Sequence, residues 1–222
     1  MKKKRILCYG DSNTWGFSPA DYRRMDERWT RNLGFDPDSA EIIEEGLNGR
    51  NAVCIDTFLP ERCGFHDFRR ALKTHQPLDL IVLMLRTNDL KSSYHCSAQY
   101  IANGIRQYVR EYLNPALFEG TKVPELLVVS PILLDESLPE LNGFGGDFDE
   151  YSVAQSKLLA DKIQEAIKPY PVHFMNAAKF ASPSKIDGLH MDEKNHGLLA
   201  EAIRNKIQEI IPDLQNSSEC KI

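Results

Sequence analysis

Ser12, Asp187 and His190 are residue types that together can run acyl chemistry. Ser12 follows a short apolar run, Arg5 to Tyr9, and the turn Gly10-Asp11. A serine there can act as a helix N-cap, its oxygen accepting a backbone N–H. The same place suits a nucleophile, because open N–H groups and the helix dipole favour a developing oxyanion. A serine nucleophile needs a base, and the base needs an orienting group. Asp187 and His190 stand three residues apart before the last helical stretch, where one turn brings a carboxylate against an imidazole. The plainer alternative has Asp187 capping a turn and His190 at the surface.

These groups need elements to position them. Arg5 to Tyr9, Ala40 to Glu45, Leu78 to Leu85, Leu126 to Val129 and Val172 to Met175 read as strands. The run Leu78 to Leu85 is almost continuously apolar, as a central strand covered on both faces must be. Helical spacing marks His66 to His75, Ser97 to Tyr112, Phe148 to Ile167 and Lys194 to Ile211. Strands alternating with helices predict an α/β fold. The expected form is a single-domain, three-layer α/β/α architecture around a five-stranded, mostly parallel sheet. A flavodoxin-like strand order, 2-1-3-4-5, is expected. In such sheets ligands bind beyond the carboxyl ends of the strands. The residues found there are Gly10-Asp11-Ser12-Asn13, Gly46-Leu47-Asn48-Gly49-Arg50, Arg86-Thr87-Asn88-Asp89, Ser130-Pro131 and Asp187-Gly188-Leu189-His190.

Gly10-Asp11-Ser12, Gly49, Asn88 and Asp187-x-x-His190 resemble, in order, the four blocks of the SGNH (GDSL-type) hydrolases. Gly10 to Gly16, Gly46 to Arg50 and Thr87 to Lys91 are similar to the arylesterase and acyltransferase subgroup. The resemblance implies the SGNH fold, a Ser12 nucleophile, a His190 base and an Asp187 that holds the imidazole tautomer. It also implies an oxyanion hole made by the backbone N–H groups of Ser12 and Gly49 and the side-chain amide of Asn88. An asparagine amide donates without charge. The implied activity is serine-dependent hydrolysis of short-chain aryl or acetyl esters, with acyl transfer to alcohols beside it. A carbohydrate O-deacetylase is a variant of the same reading.

The sequence departs from the pattern twice. Asn13 stands where the GDSL name has leucine, and Arg86 where a glycine is usual before the asparagine. If that glycine serves a positive φ, an arginine strains the turn that aims Asn88. Otherwise Arg86 sets a charge toward a carboxylate or sugar acid of the substrate, or packs its stem and sends its head to solvent. Asn13, Trp15, Phe17 and Arg86 are the substrate-binding candidates. Trp15 and Phe17 either wall an acyl or aryl pocket or belong to the core. Asp11 is expected to support the turn after the first strand, and Arg50 to anchor its block by a salt bridge.

Composition excludes other classes. The 222 residues are 42% hydrophobic and 27% charged, with a net charge of −5. That is a globular mix, and its acidity disfavours nucleic-acid backbones. No Gly-rich loop supports a phosphate binder. No run is long enough to span a bilayer. The basic start, Lys2 to Arg5, leads into too short an apolar run for a signal peptide, so a cytoplasmic location is expected. Cys8, Cys54, Cys63, Cys96 and Cys220 show no Cys-x-x-Cys pair and read as reduced thiols. Cys63, His66, His75, His95 and Cys96 match no zinc spacing, and no metal or other cofactor is expected. The expected partner is a small ester substrate, with no nucleic acid or membrane, and a homo-oligomer is a further expectation. Residues 1–215 form the expected domain and 216–222 a polar tail. Asp135 to Asp147, with no period, is a surface loop or part of a substrate lid. The rival from another class is a ligand-binding protein whose oxyanion hole Arg86 has spoiled.

Overall fold

The computed structural model describes residues 2–118, 120–141 and 143–216. Its sheet has five parallel strands: β1 (Lys4–Gly10), β2 (Ala40–Gly46), β3 (Leu80–Met84), β4 (Glu125–Ser130) and β5 (His173–Asn176). They lie in the order β2-β1-β3-β4-β5. The helices are α1 (Ser12–Trp15), α2 (Gly64–His75), α3 (Ala98–Tyr112), α4 (Glu150–Ile167) and α5 (Glu193–Ile210).

Side-chain alternation along the buried strands splits the core in two. Leu7, Tyr9, Ile81, Leu83, Leu126 and Val128 pack with Phe68, Ile101, Ile105, Leu159 and Ile163, on the face covered by α2, α3 and α4. Ile6, Cys8, Leu80, Val82, Leu127 and Val129 pack with Leu199, Ile203 and Ile207 of α5. Both faces are covered, so the strands carry apolar residues at successive positions. Leu78 and Leu85 are buried but lie outside the β3 ladder. The apolar run there reports burial, which outlasts strand pairing at both ends.

Caps set the helix starts. The Ser97 side chain accepts the Tyr100 N–H at 3.2 Å. Asp149 and Ser152 form a reciprocal capping box, so α4 starts two residues later than its apolar pattern begins. Asp192 caps α5 by accepting from the Asn195 backbone at 2.9 Å.

Residues 17–39 carry no regular period, yet they bury Trp29 and Leu33 against the α5 side. Arg28 ties this segment to β2 with a bidentate pair to Glu44, both contacts at 2.6 Å. In the stretch from Asp135 to Asp147, Leu138 is fully buried, and the Asp135 N–H donates to the Gly188 carbonyl at 2.9 Å. Asn216, expected in the tail, bridges to Phe35; the rest of that tail, 217–222 with Cys220, lies outside the described residues. No helix among the described residues is long and apolar enough to cross a membrane. Cys63, His66, His75, His95 and Cys96 do not gather. His75 pairs with Glu45 at 2.7 Å, His95 stacks on Tyr151, and Cys96 meets Cys54.

Candidate active site

The carboxyl ends of β1, β2 and β3 meet at one edge of the sheet. Gly10 of β1 pairs in register with Gly46 of β2 and with Met84 of β3. Both glycines are required by close approach. A Cβ on Gly10 would lie 2.3 Å from the Met84 carbonyl oxygen, and one on Gly46 would lie 2.3 Å from the Trp15 nitrogen. Helix α1 therefore sits directly on the strand ends.

The cap of α1 is Asp11, whose side chain accepts the Asn13 N–H at 3.1 Å. The N-cap alternative for Ser12 is thereby removed, and its hydroxyl is left for another partner. That partner is His190: Nε2 lies 2.9 Å from Ser12 Oγ. His190 Nδ1 lies 2.7 Å from Asp187 Oδ2. The other carboxylate oxygen, Oδ1, accepts the N–H groups of Leu189 and His190 at 3.0 and 2.9 Å. Burial would raise the Asp187 carboxyl, but the bond and charge of His190, with the two N–H donors, hold it below its ordinary value. All three residues are buried, and Ser12 keeps 6% of its surface.

The second and third loops are held by their own anchors. Gly49 has φ 76°, a conformation that favours glycine. Arg50 next to it donates to the Gly10 carbonyl at 2.9 Å, pairs with Asp67 at 2.7 Å and lies over the Tyr9 ring. It anchors its block, as expected. Asn88 Nδ2 donates to the Arg50 carbonyl at 3.1 Å, which joins the third block to the second. Asp89 accepts three N–H groups, from Ala52, Val53 and Cys54, at 2.6, 2.8 and 2.8 Å. Ser12, Gly49 and Asn88 thus come from three loops to one edge.

The four substrate-binding candidates separate. Phe17 lies against His190, ring centroids 4.4 Å apart, and Phe144 meets the same imidazole at 5.2 Å. Trp15 is half-buried beside Phe17 and under Arg24. Asn13 faces inward and hydrogen-bonds the backbone of Leu189 and Met191; its amide is taken up by the protein. Arg86 has no exposed surface, so it presents no charge to a substrate and sends no head to solvent. Its φ is 132°, where L side chains are rarely found. Its three guanidinium nitrogens have no hydrogen-bond partner among the described residues. Burial pushes its pKa down to about 9, against the charges of Tyr108, Asp11 and Asp89.

Sequence reasoning missed Phe144, Asp89 and the inward role of Asn13. Phe144 sits in an aperiodic segment and carried no signal. Asp89 follows Asn88 directly, but its partners at 52–54 are long-range. Phe144 brings part of the stretch from Asp135 to Asp147 against His190, at the border of the site.

A Ser–His–Asp hydrogen-bonded chain at the carboxyl edge of a parallel α/β sheet defines a serine hydrolase. The chain matches the GDSL-like lipase/acylhydrolase family over residues 8–198 and belongs to it. It is a carboxylic ester hydrolase. It is similar to Est24, a carbohydrate acetylesterase from Sinorhizobium meliloti, at 33% identity and a TM-score of 0.85, covering 94% of this chain and 100% of that one. It is similar to the M. smegmatis aryl esterase at 32% identity and a TM-score of 0.85, covering 93% and 99%. A lipolytic G-D-S-L family member from Veillonella parvula, at 14% identity and a TM-score of 0.65, covering 95% of this chain and 100% of that one, shares the fold. A search of curated protein sequences found no match.

Proposed function

We propose that the enzyme cleaves short-chain carboxylic esters, aryl or acetyl, through an acyl-enzyme on Ser12. The observation that carries this reading is the unbroken chain from Ser12 Oγ through His190 to Asp187. Ser12 Oγ attacks the ester carbonyl carbon while His190 Nε2 takes its proton. Asp187 keeps the proton of Nδ1 in place and stabilises the imidazolium. The tetrahedral oxyanion is held by the N–H groups of Ser12 and Gly49 and by the Asn88 amide. The C–O bond to the alcohol breaks, and His190 returns the proton to the departing oxygen. Water then attacks the acyl carbon with His190 again as base, and Ser12 is regenerated.

Short acyl groups are supported by Phe17 and Phe144, whose rings stand against His190, the partner of Ser12. The same apolar rings favour an organic alcohol beside water as acceptor, so transfer accompanies hydrolysis. The aryl esterase and carbohydrate acetylesterase among the similar structures support both alcohol classes. A cytoplasmic location fits the free thiols of Cys8, Cys54, Cys63 and Cys96.

The test is fluorophosphonate labelling followed by intact mass. One adduct is expected, absent in Ser12→Ala and formed more slowly in Asn88→Ala. A panel from acetyl to octanoyl esters should then show falling turnover with chain length. A folded wild-type protein that takes no adduct would overturn the assignment.

A further inference from the structure

The loops after β2 and β3 meet a second time, away from Ser12, through sulfur. Cys54 Sγ and Cys96 Sγ lie 3.1 Å apart. This is the one sulfur–sulfur contact among the described cysteines. Both backbones are already fixed. The Cys54 N–H donates to Asp89 at 2.8 Å. Cys96 directly precedes Ser97, the N-cap of α3. Asn51 Nδ2 donates to the Tyr94 hydroxyl at 3.1 Å and holds the same two loops together beside the sulfurs. The closing movement needed for a bond of ~2.0 Å is therefore about 1 Å.

We propose that Cys54 and Cys96 are an oxidisable pair that closes into a disulfide and staples the loop carrying Gly49 to the loop carrying Asn88. Cys96 is partly accessible and Cys54 is buried, so the oxidant meets Cys96 first. With a peroxide as oxidant, the Cys96 thiolate attacks one peroxide oxygen, the O–O bond breaks, and a sulfenic acid and hydroxide form. The Cys54 thiolate then attacks the Cys96 sulfur, the S–O bond breaks and hydroxide leaves. With the two thiol protons, both hydroxides become water. Two thiols lose two electrons and hydrogen peroxide is reduced to two waters. Burial raises both thiols above their ordinary range, so the link forms faster as pH rises.

The cross-link is independent of what the serine does, and its primary readout does not use turnover. The full chain is reduced, treated with hydrogen peroxide at neutral and at mildly alkaline pH, alkylated, and mapped by mass spectrometry. The expected product has lost two hydrogens, joins the Cys54 peptide to the Cys96 peptide and reverts with dithiothreitol. It forms faster at the higher pH. Its Tm lies about 5–10 °C above that of the reduced protein. Cys96→Ser and, independently, Cys54→Ala abolish both changes. The proposal is overturned if folded wild-type protein pairs other cysteines, or if Cys96 proceeds to sulfinic acid with Cys54 still alkylatable. A link that leaves Tm unchanged or lower overturns the staple.

Discussion

The side chain of Asn13 clasps the chain on both sides of His190. Its Nδ2 donates to the Leu189 carbonyl at 3.3 Å, and its Oδ1 accepts the Met191 N–H at 3.1 Å. The residue next to Ser12 thus fixes the backbone that carries the base. Serine and histidine are set against each other by one amide.

Asn13→Ala should therefore lower kcat about 10²-fold with KM little changed, the size expected when a reacting pair drifts by about 1 Å. Fluorophosphonate labelling of Ser12 should slow in parallel. Wild-type kcat in a folded Asn13→Ala protein would sink the clamp.

Asp187→Asn keeps the shape of the turn but donates toward His190 Nδ1 and favours the wrong tautomer. A fall in kcat of ~10⁴ is expected, with circular dichroism unchanged. Retained turnover would remove Asp187 from the proton chain.

Arg86 combines a φ of 132° with a buried guanidinium lacking a hydrogen-bond partner among the described residues. Backbone strain of this kind costs ~1–3 kcal/mol. Arg86→Gly should relieve it and remove a desolvated cation. A gain of about 1–3 kcal/mol in urea unfolding is expected. A loss of stability would show instead that the guanidinium offsets the buried Asp11 and Asp89.

His196 of α5 is buried, and its Nδ1 accepts the Trp29 backbone N–H at 3.2 Å. Burial lowers its pKa from 6.5 to about 4. Between those values the unfolded chain binds the extra proton, so stability rises with pH across that window. The contribution is complete above the unfolded pKa and is lost as pH falls toward 4, a difference of about 3 kcal/mol. Urea midpoints measured through this range should fall with acid in the wild type and fall less in His196→Gln. Equal slopes would refute the assignment.

Phe144 reaches His190 from the segment before α4. Phe144→Ala should widen the acyl side and raise octanoyl relative to acetyl turnover by roughly tenfold, the lower end of what one methylene placed in an apolar pocket is worth. An unchanged ratio would place the acyl chain elsewhere.

The sheet and helices were legible in the sequence because burial on both faces writes itself locally, as apolar runs and helical stripes. Leu80 to Met84 and the α3 stripe of Ile101, Ile105 and Tyr108 need no distant partner to be read. Asp187 and His190 were legible for the same reason: their contact spans three residues. Gly49 and Asn88 were legible through motif resemblance, which preserves order along the chain. Only the tertiary structure decided the rest. Asn13 meets Leu189 across 176 positions, and Cys54 meets Cys96 across 42. Arg86 was open between a strained turn, a solvent-reaching charge and a substrate ligand; its φ of 132° and complete burial, set by the elements packed around it, leave the first. Such contacts depend on how separate loops are brought to one sheet edge, and no local period records that.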